Sequence, residues 1–217
     1  MVSKLKLGLY GLGLILIAIG VATAVGGYLE WRREVAEARQ KLQQPVAEIS
    51  TTATALLSFE TKARKGSYEA ILGRGEAQIK HLAETGKQVA AATLPHAEKA
   101  ALTAYLGELT KLTTAEVSKY RKLKATATAL DGAKSLAVDL SNPALASRAT
   151  TRERFRQLLS DADKGLDAMD AADGAFYKQV ITSRDELERE RPALTGYPMI
   201  DDKVILDVIA AHQTTAK

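Results

Sequence analysis

The chain contains no cysteine, which excludes disulfides, Cys-ligated zinc or iron–sulfur centres and thiol nucleophiles. Aromatic residues make up only 5% of it, so a core must be built mostly from alanine and aliphatic side chains, and slender, closely packed helices suit that composition. No stretch alternates apolar and polar residues for long enough to suggest a strand. A one-sided charge is also missing. The formal net charge is +4, but basic residues interleave with acids, which describes a solvated mixed surface and not a nucleic-acid footprint.

One long uncharged run is present. From Leu7 to Leu29, 23 residues carry no charge, and as a helix they reach about 35 Å, enough to cross a hydrocarbon core of about 30 Å. Tyr10 lies near one end, and Tyr28 and Trp31 at the other, where amphipathic rings favour an interface. Lys4 and Lys6 precede the run, and Ala22-Thr23-Ala24 would serve a signal peptidase. The run is long for a cleaved peptide and flows straight into a helical pattern, so it reads as an uncleaved signal anchor. Arg32, Arg33, Arg39 and Lys41 follow it, and a raw count of basic residues would keep the large domain in the cytoplasm. Long domains are translocated largely regardless of charge. The expectation is therefore a single span in a bacterial-type inner (plasma) membrane, with the domain on the periplasmic, extracytoplasmic side. Within the span Ala18, Ala22 and Gly26, and likewise Gly20 and Ala24, recur every fourth residue and form a shallow face for helix packing.

Beyond the anchor the apolar pattern keeps a helical period. Val35, Leu42, Ile49 and Leu56 repeat at seven, with Val46 and Ala53 in the same stripe; Pro45 predicts a kink or short break. After Gly66-Ser67 a second stripe runs Tyr68, Leu72, Gly75, Ile79, Leu82, Gly86, Val89, with glycines that call for close approach by a neighbouring helix. Leu94-Pro95 opens a third helix with Leu102, Leu106, Leu109, Tyr120, Leu123, Ala127 and Leu130 on its buried face. It extends to Leu140 despite Asp131-Gly132, before the turn at Ser141-Asn142-Pro143. Thr150 and Glu153 form a capping box for a fourth helix, whose stripe is Phe155, Leu159, Ala162, Leu166, Met169, Phe176, Val180 and Leu187.

The expected architecture is all-α: an N-terminal transmembrane helix continuing into an antiparallel four-helix bundle, with a short C-terminal helix. Residues 1–6 form a basic tail, 7–29 the anchor, 30–191 the bundle, and 192–217 a linker and C-terminal helix. In that last helix Val204, Ile205, Leu206, Val208 and Ile209 are apolar on most of the circumference and must be buried against something. Either the helix folds back on its own bundle, or Val204, Ile205, Val208 and Ile209 dock a partner.

Groups for chemistry do not converge. His81, His96 and His212 lie on different segments, and no pair of Glu-x-x-His motifs exists for a di-iron bundle. The acidic run from Asp161 to Gly174 has Gly165, Leu166 and Ala172 where a calcium loop needs a ligand, a glycine and a glutamate. It reads as a solvated helix face. Asp173 differs, because it falls on the seam between Met169 and Phe176, where a carboxylate needs a partner. It is the candidate polar or ligand-recognising position; Thr113, Glu116, Lys134 and Ser183 also border the core. No catalytic residue, metal site or cofactor is expected. The expected function is that of a non-enzymatic accessory or scaffold subunit of a membrane complex, with a protein partner or self-association. The alternative is an extracytoplasmic module that senses a small ligand and signals through a partner protein.

Overall fold

The computed structural model describes the backbone of residues 2–61, 68–141 and 149–215, and the side chains of 23–58, 68–141 and 149–214. These residues are all-helical, with no strand among them. The elements are α1 (Val2–Thr61), α2 (Tyr68–Ala91), α3 (His96–Leu140), α4 (Ala149–Glu190), a 3-10 turn (Arg191–Leu194) and α5 (Asp202–Thr215).

Helix α1 runs through Pro45 without a break, where a kink or a short break was expected. Residues 23–34 are exposed, and Val35 is the first buried position. From there the expected stripe is buried throughout: Val35, Leu42, Val46, Ile49, Ala53 and Leu56. Among the described residues no helix is long and apolar enough to cross a membrane. Most of the 7–29 run lies outside the described side chains.

Helix α2 packs between α1 and α3, with Gly75, Leu82 and Val89 buried as expected and the alternate seam positions one residue earlier than expected. Gln78 and Thr85 take central positions in place of Ile79 and Gly86. The polar side chain is tolerated because Gln78 Nε2 donates to the Ile49 carbonyl across the interface at 2.8 Å. Gly75 does mark a close approach, since a Cβ there would collide with Val117 of α3. Gly86 has nothing within 4 Å of that position, so no close approach explains it.

Helices α3 and α4 form the longest antiparallel pair. Ser183 meets Glu108, Asp173 meets Lys119, Gly165 meets Thr126, and Leu158 meets Gly132, so the register holds along the whole pair. Helix α4 begins at Ala149, which places Thr150 inside its first turn and not at the cap.

The bundle differs from a simple four-helix arrangement in how it closes. Among the described residues no close backbone approach joins α1 to α4; the C-terminal segment lies between them and contacts both. Leu194, Tyr197, Ile200, Ile205 and Val208 belong to the same core as Leu42, Ile49, Leu102, Leu109 and Val180. Residues 191–215 are therefore a strap built into the bundle, not a separate appendage. Helix α1 ends at Thr61, α2 begins at Tyr68 and α5 ends at Thr215. Above that level α3 and α4 continue for roughly 24 Å as a two-helix arm with no other described helix beside it. This explains why Leu130, Leu159 and Leu166, expected in the core, are 43–45% exposed.

Candidate functional site

Histidine and carboxylate chemistry is dispersed. Among the described residues no three His, Asp or Glu side chains come close enough to hold a metal ion. His81 approaches Glu48 at 3.9 Å, and His96 is exposed at the start of α3. Asp163, Asp167 and Asp170 are exposed along α4.

Asp173 sits where three helices meet. Its Oδ1 lies 2.6 Å from Lys119 Nζ on α3, and its Oδ2 lies 3.3 Å from His212 Nδ1 on α5. The Lys119 ammonium also lies over the Phe176 ring, 5.1 Å from its centroid, while His212 stacks on Tyr177 at 4.0 Å. The carboxylate is thus engaged from both sides, which meets the demand that its seam position makes. Thr113, Glu116 and Ser183 are buried as well, whereas Lys134 is exposed.

The densest polar constructions tie the strap to α1 and α3. Tyr105 is fully buried, and its hydroxyl accepts the Ile200 N–H at 3.0 Å and lies 2.7 Å from Ser50 Oγ. Ser50 Oγ in turn is 2.8 Å from both the Pro198 and Val46 carbonyls. A consistent proton order runs from Ile200 N–H to Tyr105, from Tyr105 to Ser50, and from Ser50 to a carbonyl. Burial pushes the Tyr105 hydroxyl up from the usual phenol value, so it remains a neutral donor.

Glu98 forms the second lock. Arg39 Nε donates to its Oε1 at 2.9 Å, a guanidinium Nη donates to Oε2 at 2.6 Å, and the Tyr197 hydroxyl donates to Oε1 at 2.9 Å. The Arg39 hydrogen bond, helped by Tyr197, holds the Glu98 carboxyl below its ordinary value against the opposing effect of burial. Burial and the adjacent carboxylate push Tyr197 well up. Gln43 adds a bond to the Gly196 carbonyl at 3.2 Å, and Arg191 pairs with Asp202. Glu108, also buried, accepts from Ser183 at 2.9 Å and joins α3 to α4. Arg39, Ser50, Glu98, Tyr105 and Tyr197 lie far apart in the sequence, and no local spacing marks them. Only Tyr197, an aromatic residue between Gly196 and Pro198, hints that the linker is anchored.

The docking candidates of the last helix lie in the chain's own core. Ile205 and Val208 are buried, and Val204 and Ile209 pack against the same cluster. Of the two arrangements expected for the helix, the structure has it folded back on its own bundle. Of the small-residue face, Ala18, Gly20 and Ala22 lie outside the described side chains, while Ala24 and Gly26 are exposed. An open groove of about 460 Å³ lies between α1 and the end of α2, bordered by Glu34, Glu37, Lys41, Leu42, Gln88 and Thr93.

No family model, curated protein or solved structure matches the chain. The geometry alone therefore carries the functional reading. It offers buried carboxylates already held by donors and a strap locked at several points.

Proposed function

We propose that the chain is a single-pass membrane protein without enzymatic activity, whose bundle acts as an accessory or scaffold subunit of a membrane complex. The observation that carries this reading is α1, one helix that leads from the uncharged run at 7–29 into the core stripe starting at Val35. Leu29 and Val35 are six residues apart, about 9 Å along a helix, so the bundle would stand directly on the bilayer surface. The membrane in this reading is a bacterial-type inner membrane, with the bundle on its periplasmic side. Glu98, Glu108 and Asp173 each face donors, which supports binding and positioning over acid–base chemistry.

Alkaline carbonate extraction tests the anchor, and release of the chain into the supernatant would overturn it. Glu153→Cys in the cysteine-free chain, treated with a membrane-impermeant maleimide on intact cells, reads the side of the membrane. Labelling only after lysis would reverse the orientation. The scaffold role expects stoichiometric co-purification in gentle detergent, and a lone monomer would remove its support.

A second reading, recognition of a small ligand with signalling through a partner, draws on the cluster of Lys119, Asp173, His212 and Tyr177. It brings a cation, an anion and an aromatic face together. A thermal-shift panel of amino acids, organic acids and aromatic compounds tests it. Ligand at a hundred times its dissociation constant adds about 2.7 kcal/mol of stability, and a flat response across the panel counts against sensing.

A further inference from the structure

We infer that α1 meets the bilayer on one side only: Tyr28, Trp31 and Arg32 enter the lipid headgroup layer beneath the bundle, and the helix leans toward that side. The core stripe of α1 does not stop at Val35. One heptad back it reaches Tyr28, and four residues back Trp31, so both rings share the face that carries Val35, Leu42 and Ile49 into the bundle. The two rings lie together, 6.0 Å between centroids, and the Arg32 guanidinium sits 5.8 Å from the Tyr28 centroid. Yet Tyr28 is 55% and Trp31 41% exposed. The covering helices end too high for them. Helix α2 stops at Ala91 and α3 starts at His96, with Glu98 in its first turn already level with Arg39. Among the described residues, a length of seam is left open directly under the bundle.

Its height says what fills it. Leu29 ends the uncharged run, so the two rings straddle the level at which an anchored helix leaves the hydrocarbon. There a ring with an apolar body and one polar atom satisfies both at once. An arginine laid over such a ring keeps its stem with apolar groups while its guanidinium reaches headgroup phosphates.

The far side of α1 has the opposite chemistry. Glu30, Arg33 and Glu37 project there, all exposed. Glu30 lies one residue from both Leu29 and Trp31, so on an upright helix its carboxylate would enter the same layer as the rings. A lean toward the aromatic side lowers the rings and lifts the carboxylate into water. Interfacial Trp, Tyr and Arg are among the groups that set helix tilt. Because the rings continue the core stripe, this lean carries α2, α3 and the strap over the bilayer and not away from it. An aromatic belt fixes only a depth; the shared face adds a direction. The lean rests on the anchored reading proposed above.

Trp31 is the one tryptophan in the chain, so its fluorescence reports this site alone. The full chain is reconstituted in vesicles of phosphatidylcholine and phosphatidylglycerol, with the phosphatidylcholine brominated either near the headgroup end of its acyl chains or near their middle. Shallow bromines should quench Trp31 roughly twofold or more over deep ones. A second variant, Leu29→Trp with Trp31→Phe, moves the indole round to the other side. Position 29 lies about 3 Å lower along the helix, so a belt without a lean puts its indole deeper. A lean of about 20°, the usual tilt of membrane helices, lifts it at least as far. The ratio of deep to shallow quenching should therefore be no higher at 29 than at 31, and acrylamide should quench it more strongly from the water. Circular dichroism checks that the helices persist. Deeper quenching at 29 overturns the proposal. So does a Trp31 shielded from bromines and acrylamide alike, which would place another protein on the seam. Flotation with the vesicles is read in the same samples. Chain that floats but fails these tests refutes the lean alone, and chain that does not float refutes the anchor with it.

Discussion

Tyr105→Phe removes one oxygen from the centre of the strap's attachment and leaves the ring's packing in place. The Ile200 N–H, on a residue that is 1% exposed, would lose its acceptor, and Ser50 would lose a neighbour at 2.7 Å. A net hydrogen bond contributes about 1 kcal/mol, and a buried donor left without a partner costs about 1–3 kcal/mol. Together these suggest a loss of about 2 kcal/mol. The loss should appear first as easier opening of the strap, because this site and the Glu98 lock are the buried hydrogen-bonded attachments of its first residues, ahead of the apolar seats of Ile205 and Val208. Hydrogen exchange of the Ile205 and Val208 amides in the full chain is the direct assay. An opening made easier by about 2 kcal/mol corresponds to exchange roughly 30-fold faster. Ser50→Ala should act in the same direction, and the double variant should fall short of the sum because the two side chains share a bond. Acceleration of less than about threefold, or fully additive effects, would refute the proton order described here.

Gly165→Ala places a methyl group 2.6 Å from Thr126 Oγ1 and should destabilise by about 1–3 kcal/mol in urea titration, whereas Gly86→Ala has open space and should stabilise by about 0.5–1 kcal/mol. Ile205→Ala should cost about 2–5 kcal/mol and Leu206→Ala less than about 0.5 kcal/mol, since the first is fully buried and the second 49% exposed. The Glu98 carboxyl is held below its ordinary value, so its contribution is complete above about pH 4.3 and is lost as pH falls through the lowered folded-state value. Unfolding midpoints followed downward from pH 5 should therefore drop less steeply in Glu98→Gln than in the parent chain. Equal slopes would remove Glu98 from the account.

Helical periodicity made much of this legible. The α1 stripe from Val35 to Leu56 is buried as its spacing required, and Gly75 marks a close helix approach. In α2 Gly75, Leu82 and Val89 are buried as expected. The alternate positions lie one residue earlier, at Ile71, Gln78 and Thr85, and not at the expected Leu72, Ile79 and Gly86. Gln78 fits there only through a carbonyl on another helix, which no reading of α2 alone reveals. Leu130, Leu159 and Leu166 were placed in the core because periodicity shows which face is apolar but not how far the covering helices extend. Asp173 was recognisable as a carboxylate in need of a partner, yet Lys119 and His212 come from helices 54 and 39 residues away in the chain. The Glu98 and Tyr105 locks are of the same kind: long-range hydrogen bonds leave no periodic trace.

Closure of the core by the strap also sets an order of events during synthesis. Residues 191–215 emerge from the ribosome after all four long helices have been made. At roughly 5–20 residues per second, the seats for Ile200, Ile205 and Val208 stay vacant on the order of seconds. A transcript cut short before Leu194 would yield a chain with every long helix but an unfilled cleft between α1 and α4. Such a product would be conspicuous to chaperones and proteases. Completion of translation is thus recorded in the interior of the molecule.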